Sequence, residues 1–113
     1  MDTNSLETIA REFLLRENAG DRAYFEARLA THMSMRRSSG AIIDRARFLG
    51  DVKPGGDRER ASAGTITFLG SERACVNFQV RAAGKVVDNL LVFVRQPDAP
   101  EGWVLLAWAN EAT

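Results

Sequence analysis

Residues 73–110 read RACVNFQVRAAGKVVDNLLVFVRQPDAPEGWVLLAWAN, and this stretch decides the fold. Turn-forming residues interrupt it at Ala83-Gly84 and at 97–102, and a further turn is expected at Leu69-Gly70-Ser71. Long segments joined by short connections are typical of antiparallel strands. We therefore predict a four-stranded meander, with strands at 59–69, 73–82, 85–95 and 103–110.

A helix is predicted near the start of the chain. Apolar residues recur there at intervals of three and four from Leu6 to Leu14, the spacing of an amphipathic helix. Asn4 or Ser5 can cap its first turn, and Asn18-Ala19-Gly20 can end it.

Two shorter helices and a strand are predicted between this helix and the meander. Asp21 can cap a second helix that runs to about Ala30, residues 31–38 alternate like a short strand, and residues 42–43 continue extended. Asp44 can cap a third helix, which the breakers at 53–57 end. Helices first and strands later indicate an α+β domain whose helices cover one face of the sheet.

The composition is that of one soluble domain spanning residues 1–113. The chain is 45% hydrophobic, and its 15 basic and 15 acidic side chains give a formal net charge of zero, so neither disorder nor nucleic-acid binding is favoured. No membrane-spanning run and no secretory signal is evident, and we expect a cytoplasmic protein. One cysteine, Cys75, and one histidine, His32, predict neither a disulfide nor a metal site, and no glycine-rich loop predicts a nucleotide cofactor.

The last two strands are apolar at consecutive positions, at 90–94 and at 103–108. A strand with one solvent-exposed face alternates apolar and polar residues. Because these strands do not alternate, both of their faces need to be covered. We expect the helices to cover one face and a second copy of the chain to cover the other, which gives a homodimer through the sheet. The alternative is cover by a loop or by the C-terminal residues of the same chain.

Two local patterns carry a resemblance to a known family: GAIIDRARFL at 40–49 and GWVLLAW at 102–108. With the element order, they resemble the nuclear transport factor 2-like superfamily, in its SnoaL-like and ketosteroid-isomerase-like small-domain branch. The resemblance implies a cone-shaped, cystatin-like α+β fold, in which N-terminal helices pack on the concave face of a strongly curved antiparallel sheet. It also implies an apolar cavity between them, and often a dimer.

The resemblance places a carboxylate base near the end of the first strand, where this chain has Arg36 and Arg37. A guanidinium stays protonated and accepts no proton, so isomerase chemistry is disfavoured. The catalytic residues are thus unknown, and the weak candidates are His32, whose imidazole can act as a general base, and Asp88, an acid in an apolar strand.

Six residues are candidates for ligand binding. Arg37 can clamp a carboxylate or phosphate, Asn77 can orient a polar ligand group, and four large aromatic side chains can line a pocket. The candidates are Tyr24, Arg37, Phe48, Phe68, Asn77 and Trp108.

The function predicted from these features is binding of a small molecule in an apolar pocket between the helices and the curved sheet. Two alternatives stay open. One is an isomerase, cyclase or hydratase acting on a small hydrophobic carbonyl compound, with His32 or Asp88 as its acid or base. The other is a purely structural dimerisation module.

Overall fold

The computed structural model describes residues 2–112, which form three helices and seven strands. The helices and strands follow the predicted order, with one predicted strand divided in two. The elements are α1 (Asp2–Ala19), α2 (Arg22–Glu26), β1 (Leu29–Arg36), β2 (Ile42–Asp44), α3 (Arg45–Asp51), β3 (Glu59–Arg60), β4 (Thr65–Phe68), β5 (Arg73–Ala82), β6 (Lys85–Arg95) and β7 (Trp103–Ala112).

The strands form one sheet in the order β2-β1-β7-β6-β5-β3, and β4 also pairs with β5. The predicted α+β class, with N-terminal helices packed against a sheet, is confirmed. The sheet is mixed rather than purely antiparallel, because β1 runs parallel to β7 while the other pairs are antiparallel. A hairpin forces neighbours to run in opposite directions, but no hairpin joins β1 to β7.

The central hairpin has the predicted boundaries, because β5 and β6 meet at a two-residue turn. Ala83 and Gly84 both have positive φ, at 51° and 76°, as in the tight turns that match the twist of paired strands. The predicted strand 59–69 divides into β3 and β4. Between them, the Ala61 N–H donates to Gln79 O, and Ser62 Oγ accepts from the Gln79 N–H, so the regular ladder is interrupted.

Two of the predicted helix caps are confirmed and one is wrong. Asp21 accepts a hydrogen bond from the Tyr24 N–H, and Asp44 accepts one from the Arg47 N–H. Helix α1 already begins at Asp2, so the proposed caps at residues 4 and 5 lie inside it. Helix α2 ends at Glu26, short of the predicted Ala30, because Leu29 already pairs with β7.

A bulge in β7 accounts for part of its consecutive apolar run. Val92 pairs with Ala107 whereas Phe93 pairs with Leu105, so Leu106 is an extra residue in β7. Leu105 and Trp108 both reach the core, although strict alternation would send them to opposite faces.

The two faces of the sheet differ in what covers them. The inner face packs against α1, where Phe13 is fully buried and its ring contacts those of Phe25, Phe93 and Trp108. The outer face is the opposite side of β5, β6 and β7. It carries partly exposed side chains, namely Cys75, Gln79, Leu90, Val92, Val94 and Ala107. Among the described residues, no helix is long and apolar enough to cross a membrane.

Candidate ligand-binding site

Two neighbouring cavities open between α1, the end of β1 and the inner face of the sheet. The larger has a volume of about 350 Å³, and the smaller, beside α3 and the loop after it, about 270 Å³. Three charged residues line both: Glu17, Arg37 and Arg58. We call these three residues the mouth cluster.

The loop after α3 carries Arg58 to the end of α1. Gly20 permits this approach, because a Cβ at that position would collide with the backbone of Lys53 and Pro54. Asn18 then fixes the loop: its carbonyl accepts from the Gly55 N–H at 3.0 Å, its Oδ1 from the Arg58 N–H at 3.0 Å, and its Nδ2 donates to Arg58 O at 2.8 Å. The position of Arg58 is therefore set by backbone contacts.

Each arginine of the mouth cluster has a carboxylate partner. Arg58 Nε lies 3.2 Å from Glu17 Oε1, and Arg37 Nη2 lies 2.9 Å from Asp51 Oδ2. Asp51 is shared, because Arg47 Nε lies 2.9 Å from the same oxygen. Both arginine side chains of the mouth cluster remain about one-third exposed, at 35% for Arg58 and 39% for Arg37. They can be reached from solvent.

Glu17 is the most buried member of the mouth cluster, with a side chain only 12% exposed. Burial raises the pKa of its carboxyl above the ordinary value, and the positive charges of Arg58 and Arg37 offset part of that rise. Glu17 also lies in the last turn of α1, where the helix dipole disfavours a negative charge. The ionised form of Glu17 therefore depends on the two arginines.

The inner wall of the larger cavity combines apolar and amide groups. Trp108 Nε1 donates to Asn89 Oδ1 at 2.8 Å, and both side chains are almost fully buried. Beside them, Asn110 Oδ1 is buried and accepts no hydrogen bond from any residue of the described chain. A buried acceptor without a partner is costly, so this wall suits a ligand that donates a hydrogen bond.

Three of the six predicted binding residues meet at these cavities. Arg37 belongs to the mouth cluster, Trp108 lines the larger cavity and Phe48 lines the smaller one. The rings of Phe48 and Trp108 lie 5.7 Å apart, so they connect the inner walls of the two cavities.

The other three predicted binding residues lie elsewhere. Tyr24 lies between Arg16 and Arg28, and burial raises its pKa to about 12. Phe68 is 42% exposed on β4, and Asn77 is exposed on β5 and lines only a shallow hollow.

The two weak catalytic candidates do not lie at the cavities. His32 is exposed on β1, and neither large cavity includes it. Asp88 is exposed on β6, opposite Gln79, whose Nε2 donates to its Oδ1 at 3.2 Å. Because β-strand side chains alternate, Asp88 faces away from its buried neighbour Asn89. The structure brings neither candidate to the mouth cluster.

Sequence reasoning missed Glu17, although a signal was available. Glu17 follows Phe13 by four residues and Leu14 by three, so it continues the apolar stripe of α1. A carboxylate on such a stripe is directed towards the core. Arg58 gave no comparable signal, because its place depends on how the loop after α3 folds back. Among residues 2–112, no group of histidine, cysteine and acidic side chains is arranged to hold a metal ion.

Comparison with known proteins gives matches to solved structures only, since no family model and no curated protein matches the sequence. A putative calcium/calmodulin-dependent kinase II association domain from Exiguobacterium sibiricum has a TM-score of 0.80 at 14% identity, covering 99% of this chain and 93% of that one. An NTF2-like protein from Cytophaga hutchinsonii has a TM-score of 0.77 at 14% identity, and the match covers 94% of this chain and 95% of that one. A Caulobacter vibrioides protein with a cystatin-like fold has a TM-score of 0.78 at 10% identity, and the match covers 98% of this chain and 89% of that one.

The chain therefore has the nuclear transport factor 2-like fold, which confirms the resemblance carried by residues 40–49 and 102–108 at the level of fold. Identities this low show the fold alone. The narrower resemblance to SnoaL-like and ketosteroid-isomerase-like domains stays a prediction, because many unrelated functions share one fold.

Proposed function

We propose that this protein is a non-catalytic binding domain for a small molecule with a carboxylate group and an apolar body. The observation that carries the proposal is the mouth cluster, which places two reachable guanidinium groups beside a cavity of about 350 Å³. The ligand would be met in the cytoplasm, the location predicted from the sequence. The proposal modifies the predicted apolar pocket by adding a charged entrance.

The charge pattern favours an anionic head group. Arginine presents several N–H donors in a fixed plane and binds carboxylates with two parallel hydrogen bonds. The volume of the larger cavity lies at the lower end of the 300–1,000 Å³ typical of ligand pockets, which suits a ligand of roughly ten heavy atoms. A compact aromatic or aliphatic carboxylate fits both features.

The inner wall favours an apolar ligand body. Leu14, Met35, Val80 and Trp108 contribute apolar surface to the larger cavity. The Asn110 Oδ1 atom offers one acceptor for a ligand hydroxyl or amide N–H. A carboxylate at the entrance and a donor further inside would orient the ligand in one direction.

The isomerase, cyclase or hydratase alternative needs a proton acceptor beside the ligand. His32 and Asp88 line neither cavity, and arginines stand where the resemblance implies a base. Glu17 is the carboxylate that lines both cavities, and it is engaged by Arg58. These placements favour binding over catalysis.

Benzoate is a suitable probe, because it combines a carboxylate with a compact apolar ring. Calorimetric titration should show benzoate binding that benzyl alcohol of similar shape does not reproduce. Arg58→Gln should weaken benzoate binding at least tenfold, because it removes a charge-assisted contact of about 1.5–3 kcal/mol. Arg22→Gln, at an exposed arginine of α2, is the matched control and should leave the affinity unchanged. Equal binding of benzoate by both variants would contradict the proposal.

Self-association through the outer face is a second candidate function, and a specific observation supports it. Apart from Val104, which is buried, the apolar side chains of β6 and β7 on that face are only partly covered within one chain. The occupant we propose is a second copy, because a chain of zero net charge does not repel its own copies strongly. The Exiguobacterium neighbour is itself described as an association domain. Light scattering of the purified protein at micromolar concentration should give the mass of a dimer.

A further inference from the structure

We propose that an anionic ligand displaces the Glu17 carboxylate from Arg58, and that Glu17 takes up one proton as the ligand binds. The inference rests on the proposed function and adds a mode of regulation to the same site. Glu17 is then a built-in competitor for the ligand, since it is a carboxylate of the chain that occupies an arginine of the mouth cluster.

Geometry makes Glu17 the carboxylate that must give way. It lines both cavities and lies 3.2 Å from Arg58, so a ligand carboxylate on Arg58 meets the negative charge of Glu17. Asp51, which pairs with Arg37, is 38% exposed and is held by Arg47 as well. Asp51 thus has solvent and two arginine partners at ion-pair distance, whereas Glu17 is largely buried and its ion-pair partner is Arg58.

The charged groups around Glu17 are few and come from three segments. Arg37 comes from the end of β1, Asp51 from α3, and Lys53 and Arg58 from the loop after α3. The sheet contributes only neutral side chains to the larger cavity, among them Asn89 and Trp108. On α1 itself, Arg16 is engaged by Glu12 and Asp21. Arg58 is thus the residue that contributes most to stabilising the ionised Glu17 carboxylate.

The proton balance follows from this arrangement. Before binding, Arg58 pairs with ionised Glu17. On binding, the Glu17 contact breaks, the ligand carboxylate pairs with Arg58, and a solvent proton neutralises the buried Glu17 carboxyl. One anion and one proton enter together, so the net charge of the complex equals that of the free protein. Burial already favours neutral Glu17, which makes the protonation the natural response to the loss of its partner.

The linkage has a definite sign. Where Glu17 is ionised in the free protein and protonated in the complex, the affinity for the anion rises as pH falls, by up to about tenfold per pH unit. Glu17→Gln mimics the protonated side chain. Its affinity should equal or exceed that of the wild type at neutral pH and should not change with pH.

Benzoate calorimetry at about pH 6 and about pH 8, in buffers with different ionisation enthalpies, measures the number of protons taken up. We expect close to one proton for the wild type at about pH 7 and none for Glu17→Gln. Glu26→Gln, an exposed glutamate on α2, is the matched control and should behave as the wild type. His32→Gln should also keep the proton uptake, because His32 lines neither cavity.

The outcomes separate the two proposals. Benzoate binding without proton uptake by the wild type overturns the role of Glu17 but leaves the binding function standing. Weaker binding by Glu17→Gln at every pH also overturns it, because the ion pair is then needed to shape the site. Absence of binding in all variants at about pH 6 overturns both proposals. Should Glu17→Gln fail to fold, the proton count of the wild type still decides the question.

Discussion

The same strands form the inner and outer faces of the sheet, but the two faces differ in how far their side chains are buried. On β5, the inner residues Val76, Phe78 and Val80 are buried under the helices, while Asn77 on the other face is exposed. On β6 most outer residues are apolar but only partly covered, as with Val92, and Asp88 is the exposed exception. The inner face is largely buried within one chain, and the two cavities lined by the mouth cluster open at its edge.

This difference divides the two candidate functions between the faces. The inner face combines a closed aromatic core with the polar mouth cluster at its edge, as a small-molecule site requires. The outer face carries partly exposed apolar side chains on several neighbouring strands, as a contact between two protein surfaces requires. Ligand binding and self-association can therefore coexist in one chain.

The largest expected effect comes from placing a charge on either face of β7. Leu105→Glu buries an unpaired carboxylate in the core, at a cost of several kcal/mol, and should abolish folding. Leu106→Glu alters the bulge residue outside the core and should leave a folded monomer, because two like charges would meet across a two-fold interface. Circular dichroism and light scattering measure folding and mass.

Two results would contradict the proposed dimer interface on the outer face. A dimeric Leu106→Glu variant would place the interface elsewhere on the surface. A monomeric wild type at micromolar concentration would mean that the outer face is sufficiently covered by its own chain.

A smaller effect is expected from two asparagines on opposite faces. Asn89→Ala leaves the buried Trp108 Nε1–H without its acceptor and should lower the free energy of unfolding by about 1–3 kcal/mol. Asn77→Ala alters an exposed side chain and should change the free energy of unfolding by less than about 0.5 kcal/mol. Urea denaturation of both variants measures the difference, and equal losses would show that the two faces are not distinct.

Sequence reasoning predicted the fold well wherever local signals decide it. The boundaries of β5 and β6 follow from alternation and from the Ala83-Gly84 turn. It could not tell which of Leu105 and Leu106 faces the core, because the bulge depends on how β7 pairs with β6. The break between β3 and β4 likewise depends on contacts with Gln79 across the sheet.

The candidate site was less predictable than the fold, for a related reason. Arg37, Phe48 and Trp108 were selected by residue type and do meet at the cavities. Glu17 and Arg58 come together only because Gly20 lets the loop after α3 dock on the end of α1. A half-buried ion pair between residues 41 positions apart has no signature in a single sequence.

The two tryptophans test the central claim, that the inner cavity with its mouth cluster is a carboxylate site. Trp108 lines this cavity, whereas Trp103 is buried beneath Arg95 and lines neither of the two cavities. Each gives one indole N–H signal in a nitrogen–proton correlation spectrum, which a Trp103→Phe variant assigns. Titration with benzoate should shift the Trp108 signal in a saturable manner and leave that of Trp103 in place. Movement of the Trp103 signal alone, or of neither signal up to millimolar benzoate, would contradict the account.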